Sequence, residues 1–425
     1  MITNDISKEA FHSGSGPLRS NISTASSSFL GYLDYSINSD PKSIRDNQSP
    51  LGEVTYKLAS FLPTKAKTSN KWERQRVCKH VMQGTGHAVL SCMRSRNGHA
   101  DIMQDTKTGK SYYGSVIKCG SVWVCPVCSS RIAYKRREEL RHALEHTNLT
   151  PVMITATLQH KASDKLDNLM DGLNDSLRKL KSGRWWESFK QRHHVKASIS
   201  SLEVRVSVKA GWHPHKHILL FLDQALDKIS CEVMRQEITD RYKYLLAKSG
   251  NYASKYHGIK VQIGNQYASK YISKWGLESE VTLANVKKSK GDSVHPFELM
   301  DLTDKGDKRA RALWFEYVKA IKGKRQITWG RGSRQALDVG AEVSDLELAN
   351  SEGEDNLGED ELVVRIPSKA WNWILEEGLA GYVLFIADNH GPEAVREYID
   401  TIVKQVMGDE VALLLKDSVG CLEAI

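Results

Sequence analysis

Nowhere does this 425-residue sequence offer the roughly 18 consecutive apolar residues that a membrane-spanning helix needs. Its longest apolar runs, Ile218-Leu219-Leu220-Phe221-Leu222 and Gly381-Tyr382-Val383-Leu384-Phe385-Ile386-Ala387, have the length of core segments. The start lacks a basic segment followed by an apolar stretch, so no secretory signal is expected and a cytoplasmic location follows. Cysteine is scarce and uneven, with seven in all and five of them between Cys78 and Cys128. That scarcity excludes a disulfide-dense mini-protein, and without a signal segment the clustering argues for metal rather than disulfides. With 40% apolar and 26% charged residues, neither wholesale disorder nor a collagen-like chain fits. The length implies about two or three domains with a real core.

Acidic charge is also in short supply except in one place. Net charge is +9, yet residues 341–361 carry nine acids and no Lys or Arg. Outside that window 60 basic side chains stand against 42 acidic ones. A field of that sign suits a nucleic acid, although a basic surface also serves solubility alone.

Residues 1–70 are rich in Ser, Asn, Gly and Asp, show no sustained periodicity, and read as a loosely ordered segment. Residues 71–145 form a Cys-rich module ending in a basic helix. Residues 146–340 mix strands and helices. Strands are expected at 152–158, 199–208, 215–222 and 258–263, and helices at 165–190, 230–248, from about 266, and at 308–322. Residues 341–361 read as an acidic linker and residues 362–425 as a small helical unit, where Trp371, Trp373 and Leu375 suit packing better than a partner surface. No internal repeat is evident.

The most informative segment is Gly211-Trp212-His213-Pro214-His215-Lys216-His217-Ile218-Leu219-Leu220. Alternate strand residues share a face, so His215 and His217 can reach one cation. The preceding strand, Ser201-Leu202-Glu203-Val204-Arg205-Val206-Ser207-Val208, carries its polar groups at odd positions. A hairpin turn centred on Ala210 sets Glu203 opposite His217, while Val204, Val206, Ile218 and Leu220 share the other face. One carboxylate and two imidazoles make a mixed site for Mg²⁺ or Mn²⁺. A slip of one residue in register would break the arrangement.

Further on, Tyr267-Ala268-Ser269-Lys270-Tyr271-Ile272-Ser273-Lys274 places two tyrosines on one helix face with two lysines in a neighbouring row. Paired hydroxyls flanked by ammonium groups suit attack on a phosphodiester, though two partly buried tyrosines beside solvated lysines show the same pattern.

His-x-His before an apolar strand, then Tyr-x-x-x-Tyr with its lysines about fifty residues later, resembles the HUH endonucleases. More closely, it looks like the two-tyrosine rolling-circle replication initiators of plasmids and single-stranded phages. Pro151-Val152-Met153-Ile154-Thr155-Ala156-Thr157-Leu158 resembles that family's first motif, and Ile327-Thr328-Trp329-Gly330-Arg331-Gly332 a segment that often closes its nuclease domain. Cys119-x₅-Cys125-x₂-Cys128 resembles the Cys-rich segment that precedes the nuclease in many plasmid initiators. The sequence departs from the family at Lys216, where a bulky hydrophobe is usual, and has Tyr267 where some single-tyrosine relatives place Glu.

The resemblance implies an α+β fold: an antiparallel sheet of about five strands flanked by helices, with the histidines on its central pair. It implies that His215, His217 and Glu203 hold the catalytic Mg²⁺ or Mn²⁺. Tyr271 would be the nucleophile and Tyr267 its partner, with Lys270 and Lys274 binding phosphate. The product is a 5′-phosphotyrosine bond and a free 3′-OH primer. Implied partners are single-stranded or hairpin origin DNA, its flanking duplex, and a host helicase and polymerase; no membrane is involved. A rolling-circle transposase shares these motifs, and a zinc-containing DNA-binding regulator with an inactive nuclease site is the reading from another class. A conjugative relaxase fits less well, because its tyrosine motif usually precedes the histidines.

Three cysteines at 119, 125 and 128 leave a tetrahedral zinc site one ligand short. Arg76-Val77-Cys78-Lys79 resembles the first Cys segment of related initiators, which selects Cys78; Cys92, His80 and His99 are the other candidates. The zinc is expected to be structural, presenting Arg131, Lys135, Arg136 and Arg137 to DNA. Those four also fit a plain solvated helix face.

Overall fold

A computed structural model describes residues 71–207, 209–254, 258–263, 293–351 and 360–408, all within the compact unit Ala66–Ile425. The architecture is α+β, built on two antiparallel sheets. Among the described residues no helix is long and apolar enough to cross a membrane.

The larger sheet has six strands, β3 (Thr150–Thr157), β4 (Val195–Ser207), β5 (Gly211–Leu222), β6 (Ile259–Ile263), β7 (Ser293–Val294) and β8 (Ile327–Trp329). Their order is β6-β3-β5-β4-β7, with β8 also pairing to β4. The histidine strand β5 is therefore interior, paired along its length with β3 and β4. Its long apolar run is what a strand covered on both faces requires.

The β4–β5 hairpin is tighter by one step than a turn centred on Ala210. Ser207 pairs with Gly211 and Glu203 with His215, not His217. The register differs by two positions along the strand, an even number, so every side chain keeps its face. The turn explains the difference. Ser207 Oγ accepts from the backbone N–H of Lys209 and of Ala210, at 3.2 Å each. Gly211 turns the chain at φ +76°, and a Cβ there would lie 2.8 Å from Ala162 Cα.

Even-numbered strand residues (Val152, Ile154, Val204, Val206, Ile218, Leu220) pack beneath helices α3 (Leu166–Leu180), α4 (Gly183–Arg192), α5 (Lys228–Lys248) and α7 (Lys308–Ala320). The helix expected over 165–190 is in fact α3 and α4, broken at Gly183 with φ +71°. On the odd-numbered face, Ala197, Ile199, Leu219 and Phe221 are covered by Leu140 and Ala143 of helix α2 (Pro126–Glu145). His217, His215 and His213 on the same face lie outside that apolar cover.

The second sheet joins parts of the chain that the sequence places far apart. Strand β1 (His99–Asp105) lies between β2 (Ser111–Gly114) and β9 (Asp360–Pro367). Residues 362–408 thus build onto the Cys-rich module rather than standing as a separate unit. Helix α10 (Ser368–Glu376) buries Trp371, whose indole N–H donates to Met93 O at 2.7 Å and whose ring lies 4.5 Å from Tyr113. Helix α11 (Ala380–Met407) follows, kinked at Gly391-Pro392, and Tyr113 Oη donates to Ala380 O at 2.8 Å.

The acidic window is likewise not a tether throughout. Asp345–Asn350 is a helix, α9, opened by a Ser344–Glu347 capping box. It docks on α2 and buries Leu348 and Ala349.

Candidate active site

Position 203 on β4 and positions 215 and 217 on β5 share the odd face at the uncovered end of the sheet. Glu203 Oε2 accepts from His215 Nε2 at 2.6 Å and from His217 Nε2 at 3.1 Å. The three donor atoms lie within 4.8 Å of one another, and the side chains retain 11–15% exposure. The three side chains are thus largely shielded from solvent. Burial works to lower the His215 imidazole, but the charge of Glu203 and its hydrogen bond override this and raise its pKa.

The set fits a hard divalent ion. An octahedral cation with ligands at about 2.1 Å places neighbouring donors about 3 Å apart, close to the spacing of Oε2 and the two Nε2 atoms. Orientation comes from behind. Thr155 of β3, paired with His217 in register, has Oγ1 3.1 Å from His217 Nδ1. A hydroxyl accepting at Nδ1–H leaves Nε2 as the donor atom toward a metal. Glu203 Oε1 faces the Arg205 guanidinium at 3.7 Å, and Arg205 also donates to Ser293 O at 3.0 Å.

His213 stands outside the three-ligand group. His160 Nδ1 is 3.0 Å from Ala210 O, a pure acceptor, so that nitrogen carries hydrogen. His160 Nε2 lies in hydrogen-bond contact with His213 Nδ1 at 2.9 Å. Burial, followed by the nearby His215 and His160, lowers the His213 pKa to about 4, so it is neutral at pH 7. Neither His160 nor Thr155 was singled out by sequence reasoning. Thr155 could have been found from strand pairing alone; His160 lies in a loop that only the hairpin turn brings near.

The second candidate metal centre corrects one ligand. Cys92, not Cys78, joins Cys119, Cys125 and Cys128. The Cys92 Sγ lies 3.6 Å from Cys125 Sγ and 3.5 Å from Cys128 Sγ, and Cys119 Sγ lies 3.7 Å from Cys128 Sγ. A tetrahedron with Zn–S bonds of about 2.3 Å has edges of about 3.8 Å, so the cluster matches zinc and is far too open for disulfides of about 2.05 Å. Cys125 caps α2, and its sulfur accepts from Cys128 N at 3.4 Å and from Gln75 Nε2 at 3.1 Å. Cys78 instead turns its thiol toward Val124 O at 3.4 Å, and burial pushes it up to about 12, the mark of a neutral packing residue.

The helix that carries the expected DNA-contacting residues uses some of them internally. Arg136 is buried and held by Glu139 at 3.0 Å, Val343 O at 2.6 Å and Asp345 at 3.3 Å. Arg131 donates to Ser351 O. Arg137 lies 5.1 Å from the Tyr134 ring centroid, and Lys135 lines a groove of about 1060 Å³ beside Tyr134 and His142. Arg136 is thus structural, because the acidic window folds back over it. Tyr267, Lys270, Tyr271 and Lys274 lie outside the described residues.

A family described as replication protein matches residues 115–377, well over half of the chain. The chain belongs to this family of replication proteins. The match takes in Cys119, Cys125 and Cys128, the Glu203–His215–His217 recess, and the β9 strand. Among curated relatives, "Protein rep" of Streptomyces lividans is 26% identical over 410 aligned residues, covering 76% of this chain and 89% of the relative. A "Neomycin resistance protein" of Streptomyces cyanogenus is 28% identical over 148 residues, 28% of this chain and 34% of the relative. No solved structure matches. As a replication protein, the chain has DNA as its expected partner, consistent with its net charge of +9.

Proposed function

We propose that this replication protein is a plasmid rolling-circle initiator of the HUH type, which nicks and rejoins single-stranded origin DNA through a tyrosine. The observation that carries the reading is the convergence of Glu203, His215 and His217 on an interior strand, in a chain of this family. A bound Mg²⁺ or Mn²⁺ would polarise the scissile phosphate as a Lewis acid. The chain's own residues do the rest. Glu203 and Arg205 fix the carboxylate edge of the recess, and Thr155 orients His217. Tyr271 Oη attacks phosphorus and forms a 5′-phosphotyrosine bond. The 3′ oxygen leaves as a hydroxyl, protonated from Lys270 or Lys274, and primes a host polymerase behind a host helicase. Tyr267 then cleaves the regenerated origin, and strand exchange releases a circle. Zinc on Cys92, Cys119, Cys125 and Cys128 fixes the loop from which α2 starts.

The test incubates the protein with Mn²⁺ and labelled single-stranded hairpin oligonucleotides, then looks for an SDS-resistant adduct. The expected adduct disappears on chelation and in His215→Ala/His217→Ala, and is lost or strongly reduced in Tyr271→Phe. Persistence in each single tyrosine variant but not in the double shows interchangeable nucleophiles. No adduct with any hairpin, alongside tight DNA binding, overturns the nuclease in favour of a DNA-binding regulator.

A further inference from the structure

The outer surface of the helical layer carries an alternation of rings and cations that the nicking site does not use. Trp185 of α4 and Tyr244 of α5 flank Arg241, whose guanidinium carbon lies 5.5 Å from one ring centroid and 5.4 Å from the other. Lys248 continues the row, its ammonium 4.7 Å from the Tyr244 centroid. Tyr244 is 49% exposed.

Four other cations of α3, α4 and α5 are ion-paired, Arg178–Asp175, Lys190–Glu187, Arg192–Glu237 and Arg235–Glu232, while Lys179, Arg184, Lys228 and Lys243 show no ion pair among the described residues. Arg241 and Lys248 likewise have no carboxylate partner among the described residues, and the buried Nε of Arg241 has no hydrogen-bond partner there. The local sequence agrees, since Arg241-Tyr242-Lys243-Tyr244-Leu245-Leu246-Ala247-Lys248 holds three cations and no acid. Asp240, adjacent in sequence to Arg241, accepts from Gln236, and Glu187 on α4 pairs with Lys190.

The row lies on the far side of the large sheet from the candidate active site. Trp186 and Phe189 of α4, with Ile238 and Tyr242 of α5, pack against the even-numbered strand residues, whereas Glu203, His215 and His217 are odd. One DNA segment at the metal recess therefore cannot also lie on the row without passing around the sheet edge.

We propose that Trp185, Arg241, Tyr244 and Lys248 form a second, sequence-tolerant binding surface for single-stranded DNA outside the scissile segment. A polyanion with stackable bases satisfies both halves of the pattern, with phosphate at the uncompensated cations and a base on the exposed Tyr244 face. An acidic protein segment would satisfy only the first half. The inference rests on the replication reading for its ligand and deepens it, since it provides a place for strand displaced from the nick.

The test measures fluorescence anisotropy of the full chain with a labelled unstructured oligothymidylate, beside adduct formation on a short hairpin. Tyr244→Ala and Arg241→Ala are each expected to weaken oligothymidylate binding by about tenfold. Tyr244→Phe should retain it, and Lys248→Gln should lower the salt slope by about one ion. Adduct yield at saturating short hairpin should be unchanged in all four. Tyr244 is exposed, so its variants report binding rather than folding. Unchanged affinity in Tyr244→Ala, or equal competition by polyglutamate and oligothymidylate, overturns the proposal. Loss of adduct in the unmodified chain with the binding pattern intact overturns the nuclease reading instead, and leaves this surface standing.

Discussion

The hydroxyl oxygen of Thr155 lies 3.1 Å from Nδ1 of His217, on the side of the ring away from Glu203. The two residues are directly paired across β3 and β5, so the contact follows from register rather than loop conformation. Partners of this kind behind a metal-bound imidazole typically contribute 10–100-fold in affinity. Thr155→Val keeps the shape and removes the acceptor. Calorimetric Mn²⁺ titration is expected to show weaker binding of about that order, with little change in thermal midpoint. An unchanged Kd would mean that Thr155 only packs.

Cys92 and Cys78 offer a direct comparison because both are fully buried. Cys92→Ser should lose the zinc, with a large fall in the melting temperature of the module. Cys78→Ala should retain it and lose only about 1–3 kcal/mol from packing. Zinc content by native mass spectrometry decides between them, and metal retained in Cys92→Ser would return the fourth ligand to question.

Arg136→Met separates a structural arginine from a DNA contact. The substitution leaves Asp345 and the Val343 carbonyl without their donor, which costs about 1–3 kcal/mol. Duplex affinity and its salt slope should stay as they were. A slope reduced by about one ion would instead place Arg136 on phosphate.

His295 gives a pH signature. Burial above all pulls its pKa down to about 3 from 6.5, so the folded chain keeps it neutral. Between those values the unfolded chain binds more protons, and stability falls as pH drops through that window, by at most about 1.4 kcal/mol per pH unit. His295→Gln should flatten urea-derived stability between pH 6 and about 4; an unchanged slope would assign the acid sensitivity elsewhere.

What the sequence makes legible here is periodicity and short spacing. The alternation in Glu203-Val204-Arg205-Val206 and in His215-Lys216-His217-Ile218 puts three ligands on one face without any coordinates. Cys125-x₂-Cys128 across a helix start is similarly local. The exact register was not legible, because it depends on Ser207 Oγ gathering two turn amides and on Gly211 pressing against Ala162. Neither was the choice of Cys92 over Cys78: neither has fixed spacing to the other three cysteines, and only the fold brings the Cys92 sulfur within 3.6 Å of Cys125 while Cys78 faces Val124 O. The acidic window misled for a related reason. Nine like charges look like a solvated tether until Arg136, on another helix, pairs with Asp345 and Arg325 pairs with Glu342.

Strand β9 reaches back some 260 residues to pair with β1. The sulfur-rich part of the molecule is therefore split in the gene order, with the sheet bearing Glu203, His215 and His217 spliced between its halves. During synthesis the ribosome must pass Pro367 before β1 gains its second neighbour. The larger sheet can be fully paired while its companion still has a bare edge. A chain stopped early, near residue 340, would carry an open edge on β1 and lack the Trp371 indole that donates to Met93 O, next to Cys92.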